Sequence, residues 1–241
     1  MDPDVRDMLL NDFALRSFRD VADGDYIAAR MAYRGELIIQ ALWASQQALE
    51  KYIKAILLLR RIKRPKPTHS LKDLMSALES HFRLQLSGET RAFIELIEAW
   101  DVDRYFIYPY GTDGLELIQL DRAVWEIRRY CITYSRRLSP LGTPLEEMDI
   151  RNIEEAFNRP PQSYRSRVPG FLDQVMNDRK NPSRPALIWK NLYFGANTRT
   201  SLRSFKQTML MHNSTLALHP EILDELRQYI FVPKEAEDLK R

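Results

Sequence analysis

The stretch from Glu36 to Arg61 constrains the fold more than any other part of the chain. Ile38, Ala41, Leu42, Ser45, Ala48, Leu49, Tyr52, Ile53, Ile56 and Leu59 recur three or four residues apart. That spacing lines one wide stripe of a long helix with apolar side chains. Such a stripe has to be covered by other elements, and Ala41, Ala44 and Ala48 let a neighbouring helix come close. Pro65 and Pro67 end the helix, because proline lacks the N–H and its ring clashes with the preceding turn.

The flanking segments supply the cover. Asp2 before Pro3 has the pattern of an N-cap followed by proline at the first helical position, and a helix is predicted over residues 4–33. Met8, Leu9, Phe13, Val21, Ile27 and Met31 recur along it, with Gly24 expected to bend or split it and Gly35 to mark a turn. A short helix over Ser70 to His81 carries Leu71, Leu74 and Leu78 on one side. A longer one over Ser87 to Tyr105 turns Phe93, Ile94, Leu96, Ile97 and Trp100 inward. Tyr108-Pro109-Tyr110-Gly111 breaks the pattern. Asp113-Gly114-Leu115-Glu116 then has capping-box spacing and opens a helix to about Leu138, with Leu117, Leu120, Val124, Ile127, Cys131 and Tyr134 as its stripe. No stretch alternates as a sheet requires. The expected fold is all-α, an antiparallel helical bundle over residues 1–140.

Residues 141–241 read as a smaller, mostly helical extension. Thr143-Pro144-Leu145-Glu146 opens a helix to about Phe157, and Pro160, Pro161, Pro169, Pro182 and Pro185 then interrupt the chain. Short helices are expected near Phe171–Asp178, Ser201–Met211 and Pro220–Ile230. Charge separates the two parts more sharply than hydrophobicity does. The chain carries +3 overall, but between Asn158 and His212 ten Lys and Arg face two acids, Asp173 and Asp178. That segment holds about +8 and leaves the rest near −5.

At 241 residues the chain is long enough to bury a core without disulfides or a structural metal. Its one cysteine, Cys131, lies in an apolar helical pattern and reads as a small buried hydrophobe, which fits a reducing compartment. The acidic start Met1-Asp2-Pro3-Asp4 does not read as a signal peptide, and no uncharged run approaches the roughly 18 residues of a membrane span. A cytoplasmic protein without a membrane segment is expected.

Four local patterns from Asp20 to Leu138 resemble the HEPN family, the helical domains of higher-eukaryote and prokaryote nucleotide-binding proteins. Ala22 to Arg30, ADGDYIAAR, resembles the family's first helix. Ser45 to Leu57, SQQALEKYIKAIL, is similar to its second and is the most specific of the four. His69-Ser70-Leu71 with Leu74 resembles the entry to the third, and Arg104-Tyr105 with Pro109 the element before the last. The resemblance implies a four- or five-helix bundle, commonly a homodimer. Many members are ribonucleases of toxin or antiviral-defence type. Others are inactive binding or interaction modules, some paired with a nucleotidyltransferase. The ribonucleases carry Arg and His four to six residues apart on the last helix, where two motifs meet across the dimer and hold the phosphate.

This chain departs from that motif. Asp113 to Leu138 holds Arg122, Arg128, Arg129, Arg136 and Arg137 but no histidine. The one formal match, Arg64 with His69, sits in the proline-rich loop, so those two are the only catalytic candidates. Glu50 and Lys54 at i, i+4, with Arg104 and Tyr105, read either as ordinary surface residues or as the lining of a groove. His69, His81, His212 and His219 form no metal-ligand spacing, and no phosphate-binding loop occurs, so neither metal nor cofactor is expected. The basic segment interleaves aromatics with cations, among them Arg165, Arg167, Lys190, Arg199, Arg203 and Lys206. Cations neutralise phosphates and aromatic faces stack unpaired bases, so these six are the nucleic-acid-binding candidates. The alternative is that they face water or pair with the acidic bundle. Three functions follow: a non-catalytic RNA- or nucleotide-associated binding module, a metal-independent endoribonuclease, or a protein–protein interaction module.

Overall fold

The computed structural model of the chain describes residues 2–63, 68–101, 108–133, 145–157, 168–194, 210–232 and 236–238. The elements run α1 (Pro3–Phe13), a π-helical segment (Ala14–Arg19), α2 (Asp20–Arg34), α3 (Ile38–Leu59), α4 (Leu71–Glu79), α5 (Gly88–Asp101), β1 (Tyr110–Thr112) and α6 (Glu116–Arg128). They continue with α7 (Leu145–Phe157), α8 (Phe171–Asn177), α9 (Arg184–Ile188), β2 (Leu210–His212), α10 (Thr215–Leu218), a 3-10 turn (Pro220–Ile222) and α11 (Leu223–Leu226). The fold is an all-α bundle, and no described helix is long and apolar enough to cross a membrane.

Capping chemistry sets most boundaries. The Asp2 carboxylate accepts from Asp4 N at 2.8 Å and Pro3 opens α1. Ser70 caps α4 by accepting from Asp73 N at 3.1 Å. Before α6, Leu115 N donates to Asp113 and Asp113 N donates to Glu116, a reciprocal pair. Gly24 does not bend the first long helix, whose irregularity falls at the π-helical segment instead. The α2–α3 turn falls at Gly35, as expected. Glu36, not Gly35, takes the left-handed conformation (φ 62°), while Leu37 N and Glu36 N close on Ala32 O and Tyr33 O. The end of α3 repeats the arrangement with Arg61 (φ 56°), and Ile62 N reaches Leu57 O. A non-glycine residue there costs about 1 kcal/mol. The Arg61 side chain offsets it by binding α1, through Asp7 and Asn11, and Leu58 O.

α2 and α3 form an antiparallel hairpin, and α4, α5 and α6 close around α3. The α3 stripe is buried as its spacing requires: Leu49, Tyr52, Ile53 and Ile56 are fully enclosed. One core cluster spans the bundle and takes in Leu172, Val175, Leu187 and Phe194 from the later segment. Cys131 lies in it, and burial pushes its thiol pKa up, so it is an unreactive packing group. A second, smaller cluster joins Leu216, Leu223, Val232 and Ala236.

Three elements differ from the sequence reading. The helix expected to Leu138 stops at Arg128, with residues 134–144 outside the described residues. The helix expected to end at Met211 overlaps β2, which pairs antiparallel with β1, Tyr110 opposite His212. The helix expected over Pro220–Ile230 contracts to a 3-10 turn and one short α-helical turn.

Residues 168–194 dock against α2 and α6. Gly170 makes the closest approach: a Cβ there would lie 2.9 Å from Arg19 Nε and from Asp20 Oδ1. Gly170→Ala should therefore lower stability by roughly 1–3 kcal/mol, the usual range for overpacking. Urea denaturation checks this, and an unchanged midpoint would mean the close approach is not constrained.

Candidate functional site

The sequence candidates separate into three groups. Glu50, Lys54 and His69 come together. Lys190 stands apart from them. Arg64, Arg104, Tyr105, Arg165, Arg167, Arg199, Arg203 and Lys206 lie outside the described residues.

Glu50 is not a surface residue, being only 4 % exposed on the inner side of α3. Its Oε1 accepts from Lys54 Nζ at 2.5 Å and lies 2.9 Å from His69 Nδ1, while Gln46 Nε2 donates to Oε2 at 3.3 Å. Gln46 Nε2 also reaches the His69 carbonyl at 3.4 Å. The 22-residue helix positions Gln46, Glu50 and Lys54 on one edge, and the return of the chain before α4 brings His69 to it. The His69 side chain is 75 % exposed. The cluster is therefore a buried carboxylate holding an outward imidazole by Nδ1, with Nε2 directed away from that contact. Its evident work is to pin the α4 entry to α3. No group of described His, Cys, Asp and Glu residues is placed to hold a metal.

The strongest polar arrangement lies outside every sequence candidate. Two buried arginines tie α2 to α6 and both to the later segment. Arg128 (2 % exposed side chain) donates to Asp23 through Nε at 2.7 Å and NH2 at 2.9 Å, to Val168 O at 3.0 Å and to Asp173 at 3.2 Å. Asp23 also accepts from Tyr52 OH at 2.6 Å and Leu172 N at 2.8 Å. Arg30 pairs with Asp121, and also donates to Ala186 O at 3.0 Å and to Trp189 O. Tyr26 OH joins Asp121 at 2.7 Å and receives Asn191 Nδ2 at 2.9 Å. Burial and the neighbouring carboxylates push the Tyr26 and Tyr52 phenols well above their ordinary pKa, so both act as donors. A signal for these charges is present in the spacing. Asp23, Ile27 and Arg30 share one helical face, as do Leu117, Asp121, Val124 and Arg128, so the charges stand in core positions.

These contacts enclose the last helix of the bundle. Every residue of α6 is buried except Gln119 and Arg122, and Arg122 reaches Tyr193 OH at 2.8 Å and Glu89 at 2.9 Å. Four to six residues beyond Arg122 stand Glu126, Ile127 and Arg128, none a histidine.

The outer side of the docked segment is cationic. Arg179 and Lys180 are exposed on the α8–α9 turn, and Arg184 donates to Met176 O at 2.9 Å. These three form no ion pair among the described residues. Trp189 lies between Arg34 and Lys190, whose charges sit 5.8 Å and 5.1 Å from the ring centroid.

A bundle closed around an α3 of this signature, with His-Ser-Leu entering α4, defines a HEPN-type helical module. Residues 15–129 match the model of the HEPN domain, and no family assignment extends beyond them. The HEPN match thus covers the bundle, and the segment after it supplies further partners of the two buried arginines. No curated protein and no solved structure matches the chain.

Proposed function

We propose that the chain is a non-catalytic HEPN-type module that binds RNA or a nucleotide through the cationic side of residues 168–194. The observation that carries this reading is that Arg179 and Lys180 are exposed without a carboxylate partner among the described residues, in a segment whose Trp189 ring is flanked by Arg34 and Lys190. Exposed cations neutralise phosphates, and an indole in the same segment offers a stacking face. The non-catalytic half rests on α6. Its buried arginine is held by two carboxylates and a carbonyl, and no histidine accompanies it. His69, the remaining candidate, is held by Glu50 on a different part of the bundle.

Single-stranded RNA is expected to bind with an affinity that falls linearly with the logarithm of salt concentration. In Arg179→Glu/Lys180→Glu the magnitude of that slope should drop by about 1.4, roughly 0.7 for each phosphate that is no longer neutralised. Fluorescence anisotropy across a salt series measures both, and an unchanged slope would remove this face as the site. Metal-free incubation should leave the RNA intact. Cleavage that disappears in His69→Ala would overturn the non-catalytic reading.

A further inference from the structure

The α3–α4 connection holds a second concentration of charge, on a surface separate from residues 168–194. Arg60 to Lys66 contains five Lys or Arg and no acid. Where its described part leaves α3, Arg60, Arg61, Ile62, Lys63 and His81 line a cavity of about 370 Å³, and no carboxylate is among them. Arg64 and Lys66 lie outside the described residues and are left out of the site.

Three features fit this cavity to an anion. The Arg60 guanidinium lies 4.0 Å from the Phe82 ring centroid, which holds a planar cation in place. The end of a helix ordinarily repels negative charge through its free carbonyls. Here three of the last four are covered: Ile56 O by Arg60 N, Leu57 O by Ile62 N, and Leu58 O by both Arg61 N and the Arg61 guanidinium. Finally, His81 Nδ1 lies 3.1 Å from the Ala77 carbonyl oxygen and 2.8 Å from Ser80 Oγ. A carbonyl only accepts, so Nδ1 carries the hydrogen, and Nε2 is the remaining ring atom, which donates to an anion when the ring holds a second proton. Arg61 is committed to α1 and adds charge rather than donors, while Lys63 is exposed. The volume is at the small end of ligand pockets and suits a short phosphate chain better than a whole nucleotide.

We propose that this cavity binds a compact, multiply charged phosphate group, the polyphosphate of an RNA 5′ end or of a free nucleotide, through Arg60, Lys63 and His81. The test uses the full chain at low salt. In isothermal titration calorimetry, inorganic triphosphate should bind saturably at one site. Lys63→Glu/His81→Glu should weaken it by about tenfold or more, since an ammonium and an imidazole are both replaced by carboxylates that repel the anion, while Arg179→Glu/Lys180→Glu should leave it unchanged. Both positions are exposed, and matching thermal unfolding curves would show that the variants fold. Tighter binding of a 5′-triphosphorylated oligoribonucleotide than of a nucleoside triphosphate names the RNA end as the source, and equal binding names the nucleotide. Absence of saturation with the unaltered chain, or equal binding by the Lys63/His81 variant, overturns the proposal. A 5′-hydroxyl oligoribonucleotide run in parallel reports only on the face formed by residues 168–194, so the two proposals fail separately.

Discussion

Asp23→Ala is expected to lower the melting temperature by roughly 10 °C. Removing the carboxylate takes from the enclosed Arg128 the partner of its Nε and NH2, and strips an acceptor from Tyr52 OH and from Leu172 N. Breaking one side of a buried ion pair costs about 3–5 kcal/mol, because the surviving charge has lost its solvent and gained nothing. For a chain of this size each kcal/mol corresponds to roughly 2–4 °C. The loss should be uneven. Amides of residues 170–176, which Asp23 holds through Leu172 N, should gain hydrogen exchange ahead of those in α3. A midpoint shift below about 1 kcal/mol would show that Arg128 finds water or another partner once Asp23 is gone.

Arg30→Met should be comparably damaging, by about 3 kcal/mol or more, and its cost should depend on pH. Asp121 is fully buried, its Oδ2 has no hydrogen-bond partner among the described residues, and burial already raises its pKa above the ordinary carboxylate range. Arg30 is the principal influence opposing that rise, so its removal sends the folded-state pKa higher still. An acid whose folded pKa exceeds its unfolded pKa keeps its proton longer in the native state. Stability therefore falls as pH rises from the ordinary carboxylate value through the raised one. The defect of Arg30→Met should accordingly be smallest in acid and grow toward neutrality. Adding Asp121→Leu should restore most of the loss and remove the pH dependence, since a well-packed apolar pair often replaces a buried ion pair without penalty. Chemical denaturation at several pH values checks this, and a loss independent of pH would assign the damage to the Ala186 and Trp189 carbonyls that Arg30 also serves.

The bundle is legible because its signals are local. The α3 stripe, the Asp2-Pro3 start, the Ser70 cap and the Asp113–Glu116 pair each state a helix within a few residues. The β1–β2 ladder is not legible, because three-residue strands are too short to show alternation and the partners are about a hundred residues apart. Glu50 is legible as one end of an i, i+4 pair but not as a buried group, since its depth depends on where His69 returns. The two buried arginines resemble surface charges on amphipathic helices. What distinguishes them is the proline-interrupted segment that covers them, and its position follows from no periodicity. The sequence alone suggests that cations and aromatics from Asn158 to His212 share one outward face. Residues 168–194 divide those roles: Leu172, Val175, Leu187 and Phe194 enter the core, while Arg179 and Lys180 remain outside.

A helix that leaves only Gln119 and Arg122 partly open offers little seam. Because all of α6 except Gln119 and Arg122 is buried by its own chain, a second copy would find little more than those two side chains on that helix. Joining last helix to last helix would first require peeling residues 168–194 away, at the expense of two desolvated guanidinium groups in each copy. The contacts by which residues 168–194 stabilise one molecule therefore oppose that mode of pairing.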